Sequence, residues 1–362
     1  MTTPPASLRA LIAATVLAVL AGCSNDSSDA VSPVPGNRTE PQVVSEAAKP
    51  ATIVVAISVD GFNPRSLAVL GAAKTPGFQR LRNHGATTLG ARTAVEITKT
   101  LPNHTGMMTG RRILGPDGHH VTFNEDNGAT LRSTAGHYVA GIFDVAHDRG
   151  RSTALYTSKD KFGFLVRSWD ARHGALDRVG ADDGRNKLTR FDFADPDVLV
   201  ADLVEQLVKD PDDLSFLHLA LPDAAGHDYG WMSPEYLAAV RQTDAQVRTV
   251  LRTIAGDPWL KAHTVVVLTA DHGGPKGSFS HSVPTLLADY RVPFMVWGAG
   301  VAKGVGLYGL NPARKAPGSG RPSYAGRQPI RNIDVAGLVM KLLGLPQVPG
   351  GTLPRMKPLN VS

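Results

Sequence analysis

The sequence contains a single cysteine, Cys23, among its 362 residues. A disulfide needs two cysteines and a thiolate zinc site needs several, so both are excluded within this chain. Any metal site must therefore use histidine and carboxylate side chains. The sequence also lacks a dense run of lysine and arginine. Its net charge of +6 is spread along the chain, which argues against specific nucleic-acid binding but is compatible with a small anionic substrate.

No apolar run near the amino terminus is long enough to span a membrane. The run from Ala10 to Leu20 follows a single positive residue, Arg9, and is followed by small residues. This pattern is typical of a signal peptide rather than a membrane span. The ending LAGC, residues 20–23, resembles the lipobox of bacterial lipoproteins. That resemblance implies a signal peptide over residues 1–22, lipidation of Cys23 and an extracytoplasmic location, anchored to a membrane of the cell envelope. An ordinary signal peptide with an incidental cysteine is the alternative.

Residues 24–50 are rich in serine, proline and charge and show no apolar periodicity. We expect residues 23–50 to be the lipid anchor and a flexible linker, followed by a single catalytic domain over 51–362. The hydrophobic content of 42% supports a sizeable buried core in that domain.

Apolar, β-branched runs alternate with helical patterns after residue 51. Strands are predicted at 52–60, 153–158, 214–220, 264–271 and 292–298, and helices at 137–149, 196–208, 233–255 and 333–344. This alternation predicts an α/β fold with a central, mostly parallel sheet and helices on both faces. Ligands of such sheets bind at the carboxyl ends of the strands.

Acids and histidines occur where those predicted strands end. They are Asp60, Asp223, His227, Asp271, His272 and His281. Taken singly, an acid after a strand is often a helix cap and a lone histidine is usually structural. Together they suit zinc, which accepts histidine nitrogens and carboxylate oxygens. Six ligands are too many for one tetrahedral zinc, so the pattern favours two metals in one cleft. Manganese or iron would accept the same ligands.

Four motifs in order resemble the alkaline phosphatase superfamily, and most closely its nucleotide pyrophosphatase/phosphodiesterase branch. They are SVDGF (58–62), TKTLPNH with a following TG (98–110), PDAAGH (222–227) and DHG (271–273). The similarity runs from about Ile53 to the LLGLPQVPG segment at 342–350. It implies an alkaline phosphatase-like fold, two divalent metal ions, zinc by family preference, and a threonine nucleophile.

The resemblance assigns a role to each matching residue. Asp60, Thr100, Asp271 and His272 would hold the metal that activates the nucleophile, while Asp223, His227 and His281 would hold the second metal. Thr100 would attack a phosphodiester or pyrophosphate of a small substrate and form a phospho-threonine intermediate. Asn124 would donate a hydrogen bond to a phosphoryl oxygen. A threonine hydroxyl is a poor nucleophile at neutral pH, so metal coordination supplies the activation it needs.

Other functions remain open at this point. A sulfatase is disfavoured because its formylglycine arises from Cys or Ser in a C/S-x-P-x-R pattern, whereas here Thr100 is followed four residues later by His104. A phosphomonoesterase would need an extra positive group that the sequence does not identify. Transfer of a phosphoryl group to an acceptor other than water, and an inactive envelope binding lipoprotein, are the remaining alternatives.

The anchor prediction has a direct test. We expect the wild-type protein to fractionate with membranes and Cys23→Ala to be released or mislocalised, because the acylated thiol is the attachment point. Fractionation followed by immunoblotting measures this. An unchanged membrane fraction for Cys23→Ala would contradict lipidation at that residue.

Overall fold

The structure is a computed structural model that describes residues 53–177, 179, 184–351 and 357–362. The predicted signal peptide and linker, 1–22 and 23–50, lie outside the described residues. Within the described part, none of the helices combines the length and the apolar character that crossing a bilayer requires.

The described residues form eight strands in one sheet. Their bounds are β1 (Ile53–Val59), β2 (Ala86–Arg92), β3 (Thr153–Thr157), β4 (Arg190–Phe193), β5 (Leu214–Leu219), β6 (Thr264–Thr269), β7 (Arg291–Gly298) and β8 (Val305–Gly306). The strand order is β4-β3-β5-β1-β6-β7-β2-β8. β7 runs antiparallel to β6 and β2, and the other neighbouring strands pair in parallel. The predicted α/β fold with a mostly parallel sheet is confirmed.

The central strands are buried at every position. All residues of β1, β5 and β6 are inaccessible to solvent or nearly so, as expected for continuous apolar runs covered on both faces. The sequence did not predict β2, β4 or β8. β4 and β8 are short strands at the sheet edges, and β2 is only partly buried, so none carries a continuous apolar run.

Thirteen helices occur in the described part of the chain. They are α1 (Arg65–Leu70), α2 (Pro76–His84), α3 (Thr100–Thr109), α4 (Leu131–Ala135), α5 (Ile142–His147), α6 (Gly163–Ser168), α7 (Pro196–Lys209), α8 (Leu221–Tyr229), α9 (Pro234–Gly256), α10 (Pro258–His263), α11 (Leu287–Tyr290), α12 (Leu307–Leu310) and α13 (Asp334–Leu343). Short 3-10 turns occur at Ala72–Lys74 and Asp160–Phe162.

The main helices pack in two groups on the sheet. One group contains α2, α7, α8, α9 and α10, and the other contains α3, α5 and α13. α7 contacts β3 and β5 from the first group, while α13 contacts β1 and β6 from the second. These groups cover the two faces and bury the central strands between them.

One predicted helix is too long. The pattern at 137–149 predicted a continuous helix, but α5 begins only at Ile142. The Asp144 carboxylate accepts a hydrogen bond from the Gly141 amide at 2.8 Å, which caps the helix at that point. Residues 137–141 lie outside the helix because this cap fixes its start.

The strand order places the polar residues at one edge of the sheet. β5, β1 and β6 are parallel neighbours, so their carboxyl ends lie side by side. The segments that follow these strands carry Asp60, Asp223 and Asp271. The fold thus brings together three acids that are far apart in the sequence.

Candidate active site

Asp60 follows the central strand and is fully buried. Its amide donates to the Leu219 carbonyl at 3.0 Å, which keeps the ends of β1 and β5 paired. Its Oδ2 accepts a hydrogen bond from His218 Nε2 at 2.9 Å. Its Oδ1 is buried and has no hydrogen-bond partner among the described residues. One oxygen of Asp60 is therefore held by the protein, and the other faces the interior of the site.

Asp223 and His227 lie on one face of helix α8, as their spacing predicts. Pro222 occupies the first turn of this helix, where a missing amide proton costs nothing. Asp223 Oδ1 lies 3.5 Å from His227 Nε2. The Asp223 carboxylate is buried, whereas the His227 side chain is 44% exposed. This pair therefore links the buried part of the site to the solvent.

Asp271 and His272 follow β6 and are both fully buried. Asp271 Oδ1 accepts hydrogen bonds from the amides of Gly61 (3.1 Å) and His272 (2.9 Å). Its Oδ2 has no hydrogen-bond partner in the described structure and lies 3.1 Å from His272 Nε2. Like Asp60, Asp271 has one oxygen held by the protein and one facing the site.

The three predicted histidine ligands share one orientation. Each directs Nδ1 at a backbone carbonyl: His227 at Phe279 (2.9 Å), His272 at Gly273 (2.9 Å) and His281 at Thr98 (2.6 Å). A carbonyl only accepts, so Nδ1 carries the proton and Nε2 keeps a lone pair. This is the arrangement found in metal-binding histidines, whose other nitrogen donates to a fixed acceptor.

The donor atoms form two overlapping groups. Asp223, His227 and His281 offer atoms within 4.8 Å of one another, as do Asp60, Asp223 and His272. Asp223 belongs to both groups, whereas the sequence assigned it to the second metal alone. Burial without a hydrogen-bond partner is costly for carboxylate oxygens and for an imidazole nitrogen. The residues therefore fit divalent cations, which would satisfy these atoms.

Thr100 is the first residue of helix α3, and every residue of that helix is buried. Pro102 lies in the first turn, as expected from the sequence. The segment before Thr100 is joined to the loop that carries His281 by two reciprocal hydrogen bonds. The Thr98 hydroxyl donates to the His281 carbonyl and the Thr98 carbonyl accepts from His281 Nδ1, both at 2.6 Å. The position of the predicted nucleophile is thereby coupled to His281.

Asn124 is hydrogen-bonded to the residue that follows Thr100. Its Oδ1 accepts a hydrogen bond from the Leu101 amide at 3.0 Å, which leaves its amide nitrogen as a donor. Thr100, Asn124, Asp223, His227 and His281 line one cavity of about 670 Å³ together with Lys99, Glu125, Lys159, Lys161, Ala224 and Ser282. Asp60, Asp271 and His272 are buried beneath it. All eight predicted site residues are thus brought together.

Two other buried histidines have both ring nitrogens engaged. His104 contacts the Thr100 carbonyl and the Ser58 hydroxyl, each at 2.8 Å. His218 contacts Asp60 and the Thr157 hydroxyl. Burial lowers the pKa of both imidazoles. His104 therefore holds the backbone of Thr100 and is not a base for its hydroxyl, and His218 orients Asp60.

The three carboxylates differ in their electrostatic surroundings. Burial raises the pKa of Asp271 well above its usual range, and the charges of Asp60 and Asp223 raise it further. Burial also disfavours the charged form of Asp60, but the Lys159 ammonium and the His218 hydrogen bond outweigh it and hold its pKa well below the usual range. A bound cation would favour the ionised form of all three.

Lys159 belongs to the site although no sequence motif contains it. Its ammonium lies 2.8 Å from Asp60 Oδ2 and 2.5 Å from Asp223 Oδ2. Burial alone would lower the pKa of Lys159, but the two carboxylates raise it above its usual value. The residue follows β3, as Asp60 follows β1, so its place after a predicted strand was the available signal.

Asn332 is a second residue beside the site that was not expected from the sequence. Its amide nitrogen lies 3.2 Å from Asn103 Oδ1 and 3.3 Å from the Asp271 carbonyl. Asn103 in turn donates to the carbonyls of Ile97 and Lys99, at 2.8 and 3.0 Å. These bonds connect the start of α3 to the end of β6. No sequence motif marks this role.

A family model described as type I phosphodiesterase/nucleotide pyrophosphatase matches residues 54–315. Two curated relatives illustrate the range of similar proteins. GPI ethanolamine phosphate transferase 1 of Neurospora crassa is 35% identical over 137 residues, which is 36% of this chain and 13% of the relative. Ectonucleotide pyrophosphatase/phosphodiesterase family member 1 of Rattus norvegicus is 24% identical over 238 residues, which is 66% of this chain and 25% of the relative. The matched segments thus span a quarter or less of these longer proteins.

The fold is shared with a solved member of the ectonucleotide group. Murine ectonucleotide pyrophosphatase/phosphodiesterase 5, as an inactive variant in complex with AMP, superposes with a TM-score of 0.56. The match has 16% sequence identity and covers 86% of this chain and 97% of that one. At this identity the comparison establishes the fold, which is the alkaline phosphatase-like architecture expected from the motifs.

The close approach of Gly61 to Asp223 gives a testable prediction. Gly61 has φ of +66°, and a Cβ there would lie 2.8 Å from Asp223 Cα. Gly344 has a similar φ of +69° and a left-handed backbone, but a Cβ added there would meet nothing within 4 Å. We expect Gly344→Ala to lower the free energy of unfolding by about 1 kcal/mol, the cost of the left-handed backbone alone. Gly61→Ala should cost about 2–4 kcal/mol because the clash adds to it.

Urea denaturation of the two variants beside wild type measures this difference. Equal losses in the two variants would show that the contact between Gly61 and Asp223 is not tight.

Proposed function

Because the chain belongs to the type I phosphodiesterase/nucleotide pyrophosphatase family, we propose that it hydrolyses phosphodiester or pyrophosphate bonds of a small substrate through a covalent intermediate on Thr100. The family resemblance predicted from the motifs is confirmed by the match over residues 54–315. Phosphoester chemistry follows from that membership. The nucleophile, the metals and the substrate class are the proposal.

One observation carries the proposal. Three histidines keep an Nε2 lone pair, and three buried carboxylates each leave an oxygen without a hydrogen-bond partner, beside a helix that begins at Thr100. A structural cluster of histidines and acids would use these atoms in hydrogen bonds to one another. Their shared orientation supports a metal-dependent site with Thr100 at its edge.

The proposed ligands fall into two half-sites. The residues that would hold divalent cations, zinc by preference for these donors, are Asp60, Thr100, Asp271 and His272 in one half-site and Asp223, His227 and His281 in the other. The chemistry supplied by cations bound there is Lewis acidity, which lowers the pKa of the Thr100 hydroxyl and neutralises charge on the phosphoryl oxygens.

Residues of the chain position the phosphoryl group relative to Thr100. The Thr100 hydroxyl gives its proton to solvent and attacks phosphorus, and a P–O bond to Thr100 forms. The P–O bond to the leaving group breaks, and the leaving oxygen keeps the electron pair. The positive end of the α3 helix dipole lies at Thr100 and favours the anionic phosphoryl group. The Asn124 amide nitrogen, oriented by the bond from the Leu101 amide to Oδ1, donates to a phosphoryl oxygen as charge builds up in the transition state.

The second step regenerates the enzyme. Water attacks the phospho-threonine in line with the P–O bond to Thr100, within the cavity that Asp223, His227 and His281 line. The P–O bond to Thr100 breaks, and the proton released by the attacking water returns to the Thr100 oxygen. The partly exposed His227 gives this cavity access to solvent.

Transfer to an alcohol is the second candidate function. The observation that favours it is the 35% identity to a GPI ethanolamine phosphate transferase. Both reactions share the covalent intermediate and differ only in what attacks it. The acceptor, rather than the nucleophile, separates the two functions.

Substitution of Thr100 tests the mechanism. With zinc present, we expect turnover of bis(p-nitrophenyl) phosphate to exceed that of p-nitrophenyl phosphate. Thr100→Ala should lower diester turnover by at least about 10³-fold, because it removes the nucleophile. Thr100→Ser should retain measurable turnover because it keeps a hydroxyl. Asn124→Ala should cost roughly 10²–10³-fold in kcat through the loss of one transition-state donor.

Thr105→Ala is the matched control, since among the described residues the Thr105 hydroxyl bonds only the Leu101 carbonyl of the same helix. Diester turnover that survives in Thr100→Ala would contradict the proposed nucleophile. A higher rate on the monoester would instead indicate a phosphatase. Appearance of the phosphoryl group on an added alcohol, in place of water, would favour the transferase.

We also propose that the enzyme acts outside the cytoplasm, anchored to a bacterial membrane of the cell envelope through lipidated Cys23. The support is the LAGC ending after a short apolar run. Comparing the membrane fractions of wild type and Cys23→Ala tests this proposal.

A further inference from the structure

A single ammonium group bridges the two proposed half-sites. Lys159 Nζ contacts Asp60 Oδ2 at 2.8 Å and Asp223 Oδ2 at 2.5 Å, and its side chain is only 17% exposed. Asp60 belongs to the proposed half-site of Thr100, and Asp223 is assigned to the other. No other lysine or arginine of the described residues makes an ion pair with any of the proposed ligands.

The two oxygens of each carboxylate are divided between this ammonium and the histidines. Both Oδ2 atoms face Lys159. Both Oδ1 atoms are buried without a hydrogen-bond partner in the described structure. Asp60 Oδ1 lies 3.4 Å from His272 Nε2, and Asp223 Oδ1 lies 3.8 Å from the same nitrogen. The oxygens left free by Lys159 are thus those that converge on the imidazole lone pairs.

Lys159 is itself held in place. Its amide donates to the Thr157 hydroxyl at 3.3 Å, and that hydroxyl also lies 3.2 Å from His218 Nδ1. His218 bonds the same oxygen of Asp60 that Lys159 contacts. The lysine and the histidine therefore approach Asp60 Oδ2 from a common anchor at the end of β3.

From this geometry we propose that Lys159 is a positioning residue shared by both half-sites, orienting Asp60 and Asp223 so that their Oδ1 atoms face the metals. The inference rests on the proposed function, since it assumes that the same residues bind divalent cations. It assigns to Lys159 a role that neither the motifs nor the family match identifies.

Two effects of the ammonium oppose each other. Its charge repels a nearby cation, which would weaken metal binding. Its two ion pairs fix the carboxylates, and removing such an outer partner typically weakens metal affinity roughly 10–100-fold. Without it, Asp60 and Asp223 would also face each other and Asp271 with no positive side chain between them. We therefore expect orientation to outweigh repulsion.

The test compares Lys159→Met with Lys159→Arg and a matched control. Lys161→Met removes a lysine from the same cavity, but Lys161 pairs with the exposed Glu125 at 2.9 Å and with no proposed ligand. Zinc affinity and stoichiometry are measured on the whole chain by competition with a chromophoric chelator. Circular dichroism checks that each variant is folded.

We expect wild type and Lys161→Met each to bind two zinc ions, and the zinc affinity of the variant to equal that of wild type. Lys159→Met should bind zinc roughly 10–100-fold more weakly at both half-sites. Lys159→Arg should recover part of this loss because it keeps the charge and the donors, which a purely space-filling role would not explain.

Two results would overturn the inference in distinguishable ways. Unchanged or tighter zinc binding by folded Lys159→Met, with two zinc ions bound by wild type, would show that Lys159 only occupies the place of a metal. The proposed function would survive that result. A wild-type chain that binds no zinc, manganese or iron would overturn the inference and the two-metal proposal together.

Discussion

Three carboxylates converge in a part of the fold that is almost closed to water, and much of the local structure compensates for their repulsion. Asp60, Asp223 and Asp271 are buried and follow the neighbouring strands β1, β5 and β6. Like charges at short range repel one another strongly in an interior of low dielectric constant. Lys159 and His218 stabilise one oxygen of Asp60, and backbone amides stabilise one oxygen of Asp271. The remaining oxygens still lack partners. These unpaired oxygens are suited to binding cations, and a purely structural core would not leave them without partners.

The order of the strands explains why these charges meet. β5, β1 and β6 are adjacent and parallel, so each chain segment leaving a strand enters the same edge of the sheet. The segment with the proposed nucleophile, Thr100, comes separately, after β2, and is joined to the site by Thr98, Asn103 and Asn332. The proposed nucleophile and the proposed metal ligands are therefore carried by different parts of the fold. Hydrogen bonds rather than chain connectivity fix their relative position.

Under the proposed mechanism, hydrolysis and transfer use the same residues until the covalent intermediate forms. The relatives include a pyrophosphatase/phosphodiesterase and an ethanolamine phosphate transferase, and the matched region is a quarter or less of each. The shared part includes the segment with Thr100 and the proposed metal ligands. The surface around the cavity, where Lys99, Glu125 and Lys161 lie, is where an acceptor for the proposed transfer would enter.

The sequence by itself determined the fold class, the five central strands and the identity of eight candidate site residues. Continuous apolar runs predict strands buried on both faces, and short motifs in the chain identify the candidate site residues. The short edge strands could not be predicted, since edge pairing depends on neighbours distant in sequence. The start of α5 is set instead by a local cap, the Asp144 carboxylate on the Gly141 amide, which the helical pattern at 137–149 did not reveal. Only the tertiary structure placed Lys159 between Asp60 and Asp223, made Asp223 common to both donor groups and oriented His227 and His281 through backbone carbonyls distant in sequence. Lys159 and Asp223, for example, are more than 60 residues apart in the sequence. Such contacts leave no local pattern, because the charge of one segment is balanced by another only after the sheet has assembled.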